Sequence, residues 1–291
     1  MVKRLSELYL EARRTLLVTE DQQTASLMAR NLLCKITGKS QEQILANRDD
    51  YVGDDVCQAM TAAVERLKSG EPLAYVLGEW DFYGMRLVVN EHVLIPRDDT
   101  CAVTALAIKQ ALFLNQDPRI LDLCTGSGCI GLAVAQRVKD ARVTLADVSQ
   151  EALAVARKNA VNQKLSGRVS CVIADAMTEP APFLGKFDMI VSNPPYVTRR
   201  EMLELPDSVR RYEPRMALYG GLDGLDFYRA IADKYRIALR PGGYLCFEFG
   251  EGQGDAVCEI LQNNGYTILE RTRDYNERER AVIARYGRKE D

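Results

Sequence analysis

The sequence predicts an α/β protein, an open strand–helix domain preceded by a small all-helical segment and a short β-hairpin. Three observations carry this. Up to Lys68 the apolar residues recur at three- and four-residue steps with no strand signal. From Arg119 onward short apolar runs alternate with helical stretches, the pattern of strands joined by crossover helices. Two of those runs end where open α/β sheets bind ligands: one in a turn holding Gly126 and Gly128, the other in the stiff sequence Asn193-Pro194-Pro195-Tyr196.

Leu5, Leu8, Tyr9, Ala12 and Leu16 mark a first helix, and Ala25, Met28, Ala29 and Leu32 a second. Ser40 and Gln43 have the spacing of a capping box for a short helix. Val56, Met60, Val64 and Leu67 mark another, stopped by Gly70 and Pro72. Residues 1–72 thus read as a helical bundle without a chemical motif, suited to docking a partner protein.

From Leu73 to Asp98 the texture changes. Trp80, Phe82, Tyr83 and Gly84 lead into Met85-Arg86-Leu87-Val88-Val89, and Val93-Leu94-Ile95 follows Asn90-Glu91. Two β-rich runs about Asn90-Glu91 predict a hairpin linker over residues 73–98, with His92 near its turn.

Residues 99–291 read as one domain. Asp99 to about Asn115 is helical, then strands are expected at Arg119–Cys124, Val143–Asp147, Val169–Asp175 and Phe187–Ser192. Helices separate them at Gly128–Val138 and from an N-cap at Ser149 to about Gln163. After a long loop come a helix over Leu225–Leu239, a turn at Pro241-Gly242-Gly243 and a strand over Tyr244–Phe249. A helix near Asp255–Asn263 and apolar runs at Tyr266–Glu270 and Ala281–Ala284 end the series.

Composition narrows the function. The 291 residues suffice for one large or two modest domains, and 47% hydrophobic with 27% charged residues leave no case for disorder. A net charge of -3 gives no bulk attraction to nucleic acid. Lys3, Arg4 and Glu7 interrupt the amino terminus too early for a secretory signal, and no run approaches the ~18 apolar residues of a membrane span; a cytoplasmic location is expected. The eight cysteines form no Cys-x-x-Cys pair, which favours reduced buried thiols over disulfides or a metal site. A single histidine, His92, leaves little room for His-based catalysis.

The turn Asp122-Leu123-Cys124-Thr125-Gly126-Ser127-Gly128 joins a strand to a helix, and its glycines allow the backbone to approach a ligand. Gly126, Gly128 and Gly131 satisfy the dinucleotide fingerprint, with Asp147 placed to take ribose hydroxyls. A nicotinamide dinucleotide and S-adenosylmethionine both need such a cradle. Asp175, with Ala176 beside it, could accept from an adenine amino group. A dehydrogenase also needs a group to move a proton, and no tyrosine is followed four residues later by lysine. Methyl transfer needs chiefly in-line positioning. For that task the Asn193 side-chain oxygen and the Pro194 carbonyl could hold both N–H bonds of a planar amide or amino group, with Tyr196 packed on its flat face. They would also stabilise the positive charge arriving with the methyl.

These residues stand in a familiar series: Pro72–Glu79, Phe82-Tyr83-Gly84, Val93–Arg97, Thr125–Gly128, Val191–Tyr196, Tyr212–Arg215 and Gly221–Tyr228. From about residue 70 to the end the chain resembles the HemK-type (PrmC-type) glutamine N5-methyltransferases of peptide-chain release factors. The resemblance implies a class I S-adenosylmethionine-dependent methyltransferase, Rossmann-like, with a mostly parallel sheet and an antiparallel last strand, behind the helical domain and hairpin. It implies methylation of the glutamine in the release factors' Gly-Gly-Gln loop, with release factors as partners and no direct nucleic acid or membrane contact. The cofactor would then meet Cys124, Thr125, Gly126, Ser127, Gly128, Asp147, Asp175, Ala176 and Asn193. The glutamine would meet Asn193, Pro194, Pro195 and Tyr196, of which Asn193, Pro194 and Tyr196 would serve catalysis. No metal is implied. The chain departs from the family pattern at Cys124, where many methyltransferases have glycine, and at Asp98-Asp99-Thr100, where the family often has Pro-Glu-Thr. At Ala176 it lacks the usual aromatic neighbour of adenine. Two rivals remain at this level: a glutamine methyltransferase of a ribosomal protein, and an adenine N6-methyltransferase of DNA or RNA. The arginines near residues 199–215, a basic run of the kind the latter needs, are interleaved with Glu201, Glu204, Asp207 and Glu213. A third reading keeps the fold as a docking module without catalysis.

Overall fold

The computed structural model describes residues 2–114 and 116–287 and divides into two compact units. The first comprises Met1–Glu79 and Asp207–Tyr212, the second Trp80–Pro206 and Glu213–Asp291.

In the first unit a two-residue strand β1 (Lys3–Arg4) precedes α1 (Leu5–Leu16), α2 (Gln22–Thr37) and α3 (Gln41–Ala46). A second short strand, β2 (Tyr51–Val52), then leads to α4 (Asp54–Lys68) and α5 (Leu73–Leu77). Leu5, Leu8 and Leu16 of α1 are buried with Ala25, Ala29 and Leu32 of α2 and Met60, Val64 and Leu67 of α4. Each large aliphatic buried this way contributes about 1.5–3 kcal/mol. Tyr9, Met28 and Val56 stand at the edge of this core, half-buried. Ser40 and Gln43 form the expected capping box. The antiparallel pairing of Lys3 with Val52 and Arg4 with Tyr51 was not legible, because two-residue strands carry no periodicity.

The second unit opens with a hairpin of β3 (Glu79–Phe82) and β4 (Met85–Val88), turning at Tyr83-Gly84. Both turn residues have positive φ, 50° and 79°, as a tight hairpin turn requires. This corrects the expected hairpin about Asn90-Glu91. Asn90 instead makes a local turn, accepting from His92 N and Val93 N. The backbone N–H of Ile95 donates to the Glu213 carboxylate at 3.1 Å, and Val93–Ile95 forms a strap that lies outside the strands.

Next come α6 (Thr100–Ala111), β5 (Arg119–Leu123), α7 (Cys129–Arg137), β6 (Arg142–Asp147), α8 (Gln150–Asn162), β7 (Val169–Ile173) and β8 (Phe187–Ser192). Asn115, the expected end of the helix that becomes α6, lies outside the described residues. After α9 (Glu201–Glu204) and α10 (Asp207–Tyr212, part of the first unit) come α11 (Asp226–Lys234), β9 (Leu239–Glu248), α12 (Gly254–Asn263), β10 (Tyr266–Arg273) and β11 (Glu279–Tyr286). The expected helix to Leu239 stops at Lys234 and tightens into a 3-10 turn over Tyr235–Ala238. The strand expected from Tyr244 begins at Leu239, because the Pro241–Gly243 segment is absorbed as an irregularity between the pairings of Leu239 with Phe187 and of Tyr244 with Met189 in β8.

Seven strands form one sheet in the order β10-β11-β9-β8-β5-β6-β7. The pairs from β9 through β7 are parallel, and β11 runs against both β9 and β10, which confirms the antiparallel last strand. Side chains alternate between the faces. Ile120 joins Val103, Leu132 and Leu145 on one side, while Leu121 and Leu123 join Phe187, Tyr228 and Phe247 on the other. The chain runs from β5 outward to β7 and then returns to β8 on β5's other flank. The crevice beyond the carboxyl ends of β5 and β8 is therefore the topological switch point, where such sheets bind ligands. Among the described residues no helix is long and apolar enough to cross a membrane.

Candidate active site

A cleft opens at that crevice. Cys124, Thr125, Gly126 and Ser127 from the loop after β5 line it, with Asp147 at the end of β6 and Asp175 and Ala176 after β7. Asn193 and Pro195 after β8 complete the expected set. Of the residues singled out from sequence, Gly128, Pro194 and Tyr196 do not line it. A Cβ at Gly128 would meet Leu132 and Leu145 at 3.1 Å, so this residue serves helix packing.

The glycine loop is shaped by carboxylates from two strand ends. Asp122 is fully buried in β5. Its Oδ2 accepts from the Thr125 hydroxyl at 2.6 Å and from Gly131 N at 2.8 Å, while Oδ1 has no partner. Burial pushes this carboxyl up to about 7. Gly131 must be glycine: a Cβ there would lie 2.4 Å from Leu145 Cδ2 and 2.9 Å from Asp122 Oδ2. Asp147 Oδ2 accepts from Gly126 N at 2.9 Å and Oδ1 from Ser149 N at 3.0 Å. Burial raises its pKa too, against these backbone hydrogen bonds. Each oxygen keeps a lone pair for a ligand hydroxyl. Cys124 has φ +60°, the left-handed region where glycine is strain-free.

The hairpin is tied to the same loop by a buried asparagine that sequence reasoning missed. Asn159 of α8 accepts from Val88 N at 2.7 Å and donates to Val88 O at 3.0 Å, as a partner strand would. It also donates to Ser127 O at 2.9 Å.

The Asn-Pro-Pro-Tyr segment is held from below and behind. Ser192 donates to Leu123 O at 2.6 Å, joining the ends of β8 and β5. Asn193 Nδ2 lies 3.4 Å from the Thr100 hydroxyl. The Tyr196 hydroxyl lies 3.4 Å from Oε1 of Glu248, a fully buried carboxylate at the end of β9. Burial pushes Glu248 up to about 7, opposed by the Thr100 hydroxyl and the Arg280 charge, and burial raises the Tyr196 phenol as well. Gln253 donates to Tyr196 O at 3.1 Å. Cβ atoms at Gly220 and Gly224 would lie 2.5 Å from Pro195 O and 2.2 Å from Tyr196 O, so the Gly-Gly-Leu-Asp-Gly segment packs directly on this backbone.

Pro96, Arg97, Thr100, Pro214, Met216, Ala217 and Phe227 also line the cleft. The guanidinium of Arg97 pairs with Glu213, whose side chain is buried, so the strap and the Pro214–Ala217 turn are joined across the opening. Asp99 does not line the cleft; its carboxylate lies 3.2 Å from Arg280. For Glu248, the available signal was a glutamate inside the apolar run Leu245-Cys246-Phe247-Glu248-Phe249.

The cleft fits an adenosine-bearing cofactor. The Cβ direction at Gly126 is open space, two carboxylates stand at adjacent strand ends, and Ala152, Ala176 and Phe227 supply apolar walls.

Comparison with known proteins gives a consistent set of relatives. Residues 7–78 match the PrmC N-terminal domain family and residues 101–205 the Methyltransferase small domain family. The chain is 35% identical over 256 residues to a release factor glutamine methyltransferase of Clostridium acetobutylicum, covering 88% of this chain and 90% of that protein. It is 39% identical over 264 residues to one from Chlorobaculum tepidum, covering 88% of each. Among solved structures, a methyltransferase from Pyrococcus furiosus is similar in fold, with TM-score 0.50 at 17% identity over 78% of this chain and 100% of that one.

Proposed function

The chain belongs to the release factor glutamine methyltransferase family, and on that premise we propose that it methylates N5 of the glutamine in the Gly-Gly-Gln loop of peptide-chain release factors, with S-adenosylmethionine as donor. The observation that carries this is one cleft holding both an adenosine-type cradle, Gly126 with Asp147, and Asn193 at the end of the neighbouring strand.

In this reading Asp147 accepts from the ribose hydroxyls, Asp175 and Ala176 meet the adenine, and Cys124 through Ser127 pass beneath the donor. When bound, S-adenosylmethionine supplies a methyl group already activated on sulfur. The protein's work is then to hold a poor nucleophile. An amide nitrogen has its lone pair delocalised into the carbonyl, so its two N–H bonds must be fixed for that lone pair to point at the methyl group. Asn193 Oδ1, on the cleft wall, is one acceptor, and the Pro194 carbonyl, next in the chain and outside the lining of that cleft, is assigned as the second; both stabilise the positive charge that develops on nitrogen. Pro195 and the half-buried Tyr196 keep this backbone stiff. The methylated, positively charged amide is a strong acid and gives its proton to water, so no catalytic histidine is required.

The helical unit is the docking element for the release factor, with Leu10, Leu17, Val18 and Leu27 among its exposed apolar side chains. A substrate belonging to translation sets the enzyme in the cytoplasm. The test is methyl labelling of a recombinant release factor, ribosomal protein and nucleic acid side by side, with calorimetry for S-adenosylmethionine. Label confined to the release factor is expected; label only on nucleic acid would end the reading.

A further inference from the structure

The turn Thr125-Gly126-Ser127-Gly128 lies between a strand and a helix, and its shape decides how a donor molecule rests on it. Gly128 N closes it on Thr125 O at 2.8 Å. Gly126 and Gly128 have φ of 53° and 84°, so Ser127 sits between two residues whose backbones admit many conformations. A turn built this way keeps one shape only where outside groups hold it. β6 supplies two of them: Ala146 O accepts from Thr125 N at 3.0 Å, and Asp147 Oδ2 from Gly126 N at 2.9 Å. Both grip the entry to the turn. Its exit is held from α8.

Asn159, 0% exposed, makes that second hold. Its Nδ2 donates to Ser127 O at 2.9 Å. The same amide donates to Val88 O at 3.0 Å and accepts from Val88 N at 2.7 Å. Its orientation is forced, since carbonyls only accept and a backbone N–H only donates. Ser127 lines the cleft, whereas Met85–Val88 of β4 do not. One buried side chain therefore joins a wall of the cleft to an element outside it. Gln163, just past α8, is a second tie to the same strand, donating to Arg86 O at 2.8 Å. That bond ends at the hairpin. Met85 and Leu87 are buried in one core with Ala156 and Ala160 of α8, so the hairpin stays packed without either polar tie.

We propose that Asn159 is a positioning residue for the methyl donor: it fixes the glycine turn in its binding shape and makes β4 part of the cofactor site. With its carbonyl braced from Val88, the Ser127 peptide is ordered before the donor arrives, and binding does not have to order it. By reciprocity, a donor resting on the turn strengthens the hold of Asn159 on the hairpin. Asn159 does not line the cleft and acts through Ser127. The proposal rests on the reading of this cleft as the S-adenosylmethionine site.

The first measurement needs no variant. Amide hydrogen exchange is followed in the full chain with and without saturating S-adenosylmethionine. Exchange over residues 85–88 is expected to slow by at least about fivefold more than over β10, an edge strand that reports global opening. Slowing no greater than in β10 would overturn the proposal. The second measurement compares two variants by calorimetry, well below their melting temperatures. Asn159→Leu keeps most of the volume and removes all three hydrogen bonds. Gln163→Leu removes the tie that ends at the hairpin. Asn159→Leu is expected to raise the S-adenosylmethionine Kd by at least about tenfold and to lose the extra protection over residues 85–88. Gln163→Leu should stay within about twofold in Kd. At saturating donor, KM for a recombinant release factor should remain within about threefold in both. Unchanged donor affinity in Asn159→Leu, or equal weakening in Gln163→Leu, would overturn the proposal. Should Asn159→Leu fail to melt cooperatively, the exchange measurement on the unmodified protein decides. An unmodified protein without affinity for S-adenosylmethionine would instead sink the reading of the cleft, and this proposal with it.

Discussion

Glu248→Gln is expected to make the catalytic unit more stable above neutral pH. The carboxylate is 1% exposed, with a single 3.4 Å contact from Tyr196 and one oxygen unpartnered. Burial raises it from 4.5 to about 7. At about 1.4 kcal/mol per pH unit, keeping this group charged in the folded state costs roughly 3 kcal/mol. At pH 4 the group is largely protonated in both folded and unfolded chains and the cost is close to zero. Between about 4.5 and 7 the folded state alone holds the proton, so stability falls as pH rises; above that window the full penalty is present. Glutamine never carries the charge. The two proteins should therefore melt alike near pH 4 and diverge by roughly 5–10 °C at pH 8. Asp122 titrates over a similar range but is common to both and cancels. Thermal unfolding at pH 4, 5, 6, 7 and 8 measures the difference. Curves that stay parallel across the series would show that the Glu248 carboxylate is as well solvated folded as unfolded.

Asn193→Ala should cut methyl transfer by about 100-fold or more while leaving cofactor Kd within about threefold, since it removes an acceptor for the amide and not for adenosine; comparable losses in both would reassign the residue. Cys124→Gly relieves φ +60° at the cost of a more flexible unfolded chain, so denaturant titration should find stability unchanged or up to about 1 kcal/mol higher with cofactor binding intact. A larger loss of stability would mean that thiol packing outweighs the strain. Gly131→Ala drives a Cβ into Leu145 and Asp122 and should destabilise by about 1–3 kcal/mol, with weaker cofactor binding in calorimetry. A variant of normal stability would contradict the close packing of α7 on β5 and β6.

Periodicity made most of this fold legible because each parallel strand is an apolar run bounded by glycine, proline or an acidic residue. It failed where a local preference was overruled by a distant partner. Val93–Ile95 has the composition of a strand, but the group that takes Ile95's N–H is the side chain of Glu213, 118 residues away. Tyr83-Gly84 lacks the usual Asn-Gly signal of a tight turn, so the hairpin was displaced toward Asn90-Glu91. The site divides in the same way. The loop after β5, Asp147, Asp175 and Asn193 follow from motif and spacing, and the cleft brings them together. Asn159 and Glu248 could not be assigned from sequence, because each meets its segment, Val88 and Ser127 for one and Tyr196 for the other, only through the tertiary fold. Tyr196 was expected to stack on the substrate; its hydroxyl turns toward Glu248, and its ring belongs to the packing beside Phe249 and Tyr228.

The two carboxyls pushed to about 7, Asp122 and Glu248, are the groups that a search for perturbed titration would nominate as acid and base. Geometry argues otherwise, for neither lines the cleft. Each costs roughly 3–4 kcal/mol when charged, a large share of the 5–15 kcal/mol typical of a folded domain. Each stands at a strand end flanking the switch point and binds a loop that must not move. Asp122 takes Thr125 and the start of α7; Glu248 takes Tyr196. A reaction limited by aiming one nitrogen at one carbon gains little from a proton acceptor and much from fixed loops. Above about pH 7, where both are ionised, such buried groups only accept, and that leaves the hydroxyls around them a single orientation.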